Sequence, residues 1–179
     1  MQRADALAHG ARRWSSSSSP ALGSRTLPAT PPTHLQPTNA NVDAYIKEFK
    51  LHSVTDLVRA CECGYAAESI TRAGVNVHDM PFPDGDPPPE AIITSWLSLC
   101  ARVFSKGNVE KKAIAVHCVA GLGRAPVLVA IALIEDGLEP LEAVNAIRAK
   151  RRGAINARQL LYLETQYKRR AKGGKCAVM

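Results

Sequence analysis

Residues 113–126, Ala-Ile-Ala-Val-His-Cys-Val-Ala-Gly-Leu-Gly-Arg-Ala-Pro, constrain the fold more than any other stretch of the chain. Ala113, Ile114, Ala115 and Val116 form a short apolar run, the pattern of a strand covered on both faces. The apolar run from Pro126 to Ile134 is long enough for a helix. Between them, Gly121 and Gly123 let the backbone turn so that successive N–H groups point inward, and the helix start adds its positive dipole end. Such a turn holds an anion, and phosphate is the expected one. Cys118 lies at its mouth, where the same dipoles and N–H groups favour a nucleophilic thiolate. Arg124, six residues on, can curl back as a planar fork for two phosphate oxygens.

A bare Cys-x5-Arg occurs by chance in many proteins. With a preceding apolar strand, His117, two internal glycines and a following helix, chance is a poor explanation. The stretch resembles the signature loop of the protein tyrosine phosphatase superfamily, which implies phosphoryl transfer through cysteine with no metal and no cofactor.

At 179 residues the chain suits one domain plus tails. Its net charge of +7 is local, because Lys168, Arg169, Arg170, Lys172 and Lys175 crowd the last dozen residues. The excess is a tail property and not a basic binding face, so no specific nucleic-acid partner is expected. The cysteines, Cys61, Cys63, Cys100, Cys118 and Cys176, show no metal-ligand spacing and no accompanying histidine cluster. Reducing cytosol is the default compartment for such a set. No run approaches about 18 apolar residues, and the N-terminus lacks the apolar centre of a secretory signal.

Residues 1–36 hold Ser15 to Ser19 in a row, Pro20, Pro28, Pro31 and Pro32, and scattered arginines, the composition of a disordered leader. The same nearly acid-free composition also fits a mitochondrial transit peptide. A catalytic domain is expected over 37–167 and a basic tail over 168–179. Within the domain, Asn41 or Thr38 caps a helix with Val42, Tyr45, Ile46 and Phe49 on one face, ending near His52. Val54, Leu57 and Val58 suggest a strand reaching Cys61. Residues 66–73 read as a short helix stopped by Gly74, and Val75 to His78 as a second strand. Strand and helix alternate, so the fold class is α/β: a central, mostly parallel sheet flanked by helices. Pro89 or Glu90 starts a helix running to Phe104, Leu141, Val144 and Ile147 mark another, and Leu160, Leu161 and Leu163 a last one, all read as packing residues.

The intervening run Pro81-Phe82-Pro83-Asp84-Gly85-Asp86-Pro87-Pro88-Pro89 must be a surface loop, since proline removes donors and fixes φ. A thiolate attacking a phosphomonoester needs an acid to protonate the leaving oxygen. Asp84 and Asp86 flank Gly85, so one of them can face the cleft while the other faces water.

Val58-Arg59-Ala60-Cys61-Glu62, the proline-rich loop, Trp96-Leu97-Ser98-Leu99, the run from Ile114 to Ile134, and Lys150-Arg151-Arg152-Gly153-Ala154-Ile155-Asn156 resemble one family. This is the phosphatases of regenerating liver, the prenylated type IVA protein tyrosine phosphatases, and the similarity covers roughly residues 36–179. Position by position, it implies Cys118 as nucleophile, Arg124 as phosphate clamp, Asp84 as general acid, and the loop Val119, Ala120, Gly121, Leu122, Gly123 and Arg124 as the substrate-binding cradle. The family usually carries an acidic residue just before the acid and a small one two after it, where this chain has Pro83 and Asp86. Ala125 stands where most of the superfamily places Ser or Thr, which implies a phosphocysteine that forms readily and breaks down slowly. The resemblance further implies a reversible disulfide between Cys61 and Cys118, with Cys63 as a rival partner two residues away.

Cys176-Ala177-Val178-Met179 fits the C-terminal prenylation signal, with the final Met favouring a farnesyl group added by farnesyltransferase. Lipid plus nearby Lys and Arg would hold the chain on an anionic membrane surface, at the cytoplasmic face of plasma membrane and endomembranes, with any unprenylated pool cytosolic or nuclear. The expected function is therefore a membrane-anchored tyrosine phosphatase with slow turnover, acting on phosphotyrosine protein or on phosphoinositide. The alternative implied by the family is a binding protein whose pocket docks cyclin M type magnesium-transport mediators.

Overall fold

The computed structural model describes residues 14–16, 36–104 and 112–170, the first of these for backbone only. The remaining leader residues and the whole of 171–179, including Cys176, lie outside the described residues.

Four parallel strands form one sheet in the order β1-β4-β2-β3: β1 (Trp14–Ser16), β2 (Val54–Arg59), β3 (Asn76–Asp79) and β4 (Ala113–His117). Among the described residues six helices accompany it: α1 (Val42–Leu51), α2 (Glu68–Arg72), α3 (Glu90–Val103), α4 (Arg124–Asp136), α5 (Pro140–Lys150) and α6 (Ala157–Thr165). The expected central parallel sheet is thus present. One difference concerns the leader, expected to be without structure: Trp14 to Ser16 pair with Ile114 to Val116. The outer edge of β4 otherwise presents unpaired backbone groups, and the proline-free residues 14–16 can satisfy them.

Every residue of β4 is buried, and period-two alternation splits its side chains between two layers. Ala113 and Ala115, with Leu57 of β2, pack toward Val42 and Phe49 of α1 and Ile70 of α2. Ile114 and Val116, with Val58, pack toward α3, α4, α5 and α6. The centre of that second layer is α4, whose residues Ala125 to Ala132 are all buried, as expected of a helix apolar all round. Trp96 of α3 is fully buried there and donates its indole N–H to the Leu128 carbonyl at 2.7 Å. Gly137, at φ +124°, ends α4 by donating to the Leu133 and Ile134 carbonyls.

The buried carboxylate of Asp56 is paired. Asp56 of β2 accepts from His78 at 2.9 Å, Arg102 at 2.9 Å and Thr55 at 2.7 Å. Burial alone would raise its pKa, but these donors outweigh it and hold the carboxyl below the usual range.

Two packing expectations need correction. Leu141 is 49% exposed and Leu161 56%, because each lies on the outer side of its amphipathic helix while Val144 and Leu163 face inward. The start of the expected basic tail is also part of the domain. Arg169 donates to the Ile134 and Leu138 carbonyls at the C-terminal end of α4, where a cation suits the helix dipole, and Arg170 pairs with Glu90. Among the described residues no helix is long and apolar enough to cross a membrane.

Candidate active site

The site stands at the carboxyl end of β4, where the chain leaves the sheet and enters α4, the usual place for a ligand in a parallel α/β fold. Cys118 follows the last strand residue and is buried. Gly121 takes φ +66°, so a β-carbon there would be strained. Two carbonyls of the loop are tied down from outside: Ala120 accepts from Arg151 at 2.8 Å, and Leu122 accepts from the Ile155 N–H at 2.7 Å. A trans peptide sets each carbonyl opposite the following N–H, so these two anchors turn the N–H groups of Gly121 and Gly123 to the other side of the loop. Ile155 reaches its carbonyl from the left-handed region, φ +63°, which costs a β-branched residue about 1–3 kcal/mol. Arg148 clamps that bend by donating to the Ala154 and Ile155 carbonyls at 3.0 and 2.8 Å.

Arg124 opens α4, and its side chain is only 12% exposed. Its Nε lies 3.3 Å from the Asp84 carboxylate, yet that buried N–H has no hydrogen-bond partner among the described residues. A buried guanidinium N–H without a hydrogen bond is one that a bound phosphate oxygen would satisfy.

Asp84 and Asp86 make different contacts, and Asp84, 72% exposed against 35% for Asp86, is the more open to water of the two. Asp84 reaches over the cradle to Arg124, whereas Asp86 pairs with Arg158 of α6. The loop is held by the start of α6. Asn156 and Gln159 form a capping box with their amide oxygens, each accepting from the other's backbone N–H. Their amide N–H groups then donate to the Gly85 carbonyl at 3.0 Å and the Asp86 carbonyl at 3.1 Å. The sequence assigned no role at the site to Asn156, Arg158 or Gln159. The Asn-x-x-Gln spacing signals a helix start, but nothing local signals a bond to residues 71 and 73 positions upstream.

Gly123 packs against this assembly. A β-carbon on it would lie 3.3 Å from the Asp84 carboxylate and 3.4 Å from the Gln159 amide. Gly123→Ala should therefore push the acid loop away and slow phosphoryl transfer by on the order of tenfold. A rapid-mix measurement of the first turnover, with an unchanged melting temperature, checks this.

His117 is fully buried behind the nucleophile. Burial pushes its pKa down to about 4, so the ring is neutral at pH 7. Its Nδ1 faces the Cys118 carbonyl at 3.5 Å and its Nε2 the Tyr65 hydroxyl at 2.6 Å. A carbonyl only accepts, so Nδ1 carries the proton and Tyr65 donates to Nε2.

A family model described as "Tc-R-P: Polymorphic toxin system, DSP-PTPase phosphatase" matches residues 31–138. The probable protein tyrosine phosphatase type IVA A of Dictyostelium discoideum is 48% identical over 143 residues, covering 80% of this chain and 84% of that protein. Human protein tyrosine phosphatase type IVA 3 is 49% identical over 132 residues, covering 74% of this chain and 75% of that protein. This chain belongs to the type IVA protein tyrosine phosphatases. A solved putative protein tyrosine phosphatase from Leishmania major superposes with a TM-score of 0.66 at 45% identity, covering 75% of this chain and 85% of that one.

Cys61, Cys63, Cys100 and Cys118 are all free thiols. Cys61 has its sulfur 3.6 Å from that of Cys63, and burial pushes its thiol pKa up to about 12. Ala125, which follows Arg124, is fully buried at the start of α4. The loop's own Val119 and Leu122 are 46% and 39% exposed, so the cradle carries two apolar side chains on its rim.

Proposed function

The chain is a protein tyrosine phosphatase, and we propose the finer reading that it works through a phosphocysteine at Cys118 that breaks down slowly. The observation that supports a phosphate site at Cys118 is the buried Arg124 Nε, ion-paired with Asp84 but without a hydrogen bond among the described residues, at the mouth of the cradle. The Cys118 thiolate attacks phosphorus in line, the phosphorus–oxygen bond to the leaving group breaks, and Asp84 gives its proton to that oxygen. Arg124 and the loop N–H groups from Val119 to Arg124 hold the transferred oxygens throughout. Water then attacks the phosphocysteine, Asp84 takes a proton back, and the thiolate leaves.

The second step is the slow one, because Ala125 offers no hydroxyl to steady the departing thiolate. Ala125→Ser should raise steady-state turnover by about tenfold while leaving the first turnover nearly unchanged. Equal steady-state rates in the two proteins would argue against this role for Ala125.

The proposed substrate is a phosphotyrosine protein, with a phosphoinositide as the second class. The proposal also includes farnesylation and carboxyl methylation at Cys176, a place on the cytoplasmic face of membranes, and a reversible Cys61–Cys118 disulfide that stops turnover. With Arg169 and Arg170 engaged by the domain, Lys168, Lys172 and Lys175 are left to supplement the lipid at about 1 kcal/mol each near an anionic surface.

The apolar rim of Val119 and Leu122 favours a second reading, in which the same pocket docks a cyclin M type magnesium-transport mediator. An Ala125→Ser protein that gains turnover and loses partner binding would support this docking role.

A further inference from the structure

We propose that Cys61, Cys63 and His117 form a binding site for a thiophilic divalent cation of the Zn²⁺ class, one residue before the nucleophile. The linear sequence offers no metal-ligand spacing, and the fold supplies it. β2 and β4 are parallel neighbours with Arg59 opposite His117, so the two residues that follow β2 by a few positions arrive beside the end of β4. The two sulfurs and a ring nitrogen all lie within 4.8 Å of one another. Cys61 Sγ is 3.6 Å from Cys63 Sγ, and Cys63 Sγ is 4.0 Å from His117 Nε2.

These separations suit one central ion. Zinc bonds of about 2.3 Å to sulfur and 2.0–2.1 Å to nitrogen in a tetrahedron place the sulfurs about 3.8 Å apart and sulfur and nitrogen about 3.6 Å apart. The donors therefore need to shift by no more than about 1 Å. His117 presents the right nitrogen: Nδ1–H points at the Cys118 carbonyl, which leaves Nε2 without a proton and orients the ring, as outer-shell carbonyls do in metal sites. The Tyr65 hydroxyl sits 2.6 Å from Nε2, so an ion that takes this nitrogen displaces that hydrogen bond.

Two buried donors and one half-buried one make a site closed on the core side and open through Cys63. The Gln36 amide oxygen, 3.5 Å from Cys61 Sγ, or a water can complete the coordination. Charge balances, because each thiol releases one proton to solvent and the two thiolates neutralise the dication. Soft thiolate and imidazole donors select zinc-like ions over magnesium or calcium. Occupancy also commits Cys61, so the bound ion withholds it from Cys118.

The test is an anaerobic Co²⁺ titration of the Cys118→Ser chain in phosphine reductant, which removes the catalytic thiol as a competing ligand. The expected result is one equivalent bound with thiolate-to-cobalt charge-transfer absorption, bleached by stoichiometric Zn²⁺. Cys63→Ala in that background should weaken binding by about 100-fold, and Cys63→Ser should do the same if the alanine variant folds poorly. Loss of all binding in Cys118→Ser would place the ion on the catalytic thiol instead. Unchanged affinity without the Cys63 sulfur would equally overturn the proposal.

Discussion

Replacing Cys118 by serine should cut turnover of aryl phosphates by on the order of 10⁴-fold or more while leaving the fold intact. The loop geometry rests on backbone anchors, the Ile155 N–H on Leu122 and Arg151 on Ala120, and on the left-handed Gly121. None of these involves the sulfur. The exchange of sulfur for oxygen at a buried position is nearly isosteric, so the melting temperature should stay within a few degrees. Anion binding should survive as well, since Arg124 and the loop N–H groups remain. Phosphate affinity within a few-fold of the native protein, measured beside the lost turnover, checks both halves. Turnover within tenfold of native would mean that another group attacks phosphorus.

Replacing Asp84 by asparagine should slow the first turnover by about 10²- to 10⁴-fold on a phosphotyrosine-like substrate, and by much less on one with an activated leaving group. The carboxylate that faces Arg124 is Asp84, and an activated phenol leaves without the proton it supplies. The first turnover is the quantity to read, because the steady state would also carry the loss of Asp84 as the group that takes a proton from water in the proposed second step. Asp86→Asn is the matched control. Asp86 pairs with Arg158 on the rim, where an exposed ion pair contributes at most about 1 kcal/mol, so its loss should change the first turnover by less than about fivefold. Equal losses in the two variants, or a loss confined to Asp86→Asn, would reassign the acid.

The reactive loop was legible in the sequence because its parts are contiguous: a strand of four small or branched apolar residues, two glycines and an apolar helix leave few other folds. Helix bounds were legible for a similar local reason, as Val42, Phe49, Ile93 and Trp96 sit at helical spacing and are buried. The hold on the acid loop was not. Asn156 and Gln159 serve a helix cap and a distant loop with opposite ends of the same amides, and only the cap has a sequence signature. The left-handed bend at Ile155 was equally hidden, since β-branched residues avoid it unless the surroundings impose it. The meeting of Cys61, Cys63 and His117 depends on the register of two strands about 60 residues apart, which no spacing rule reads. Arg169 and Arg170 looked like tail because charge patterning does not show that carbonyls at the end of α4 and Glu90 lie within reach.

The most direct test of the phosphocysteine account is a rapid-mix assay of the reduced protein with excess aryl phosphate, recording the burst and the steady state together. The account predicts a burst of about one phenol per enzyme followed by slow turnover, with Cys118 and Asp84 competent and breakdown of the intermediate limiting. A linear trace with no burst, in protein whose thiols are verified free, would contradict it and favour the pocket as a docking site.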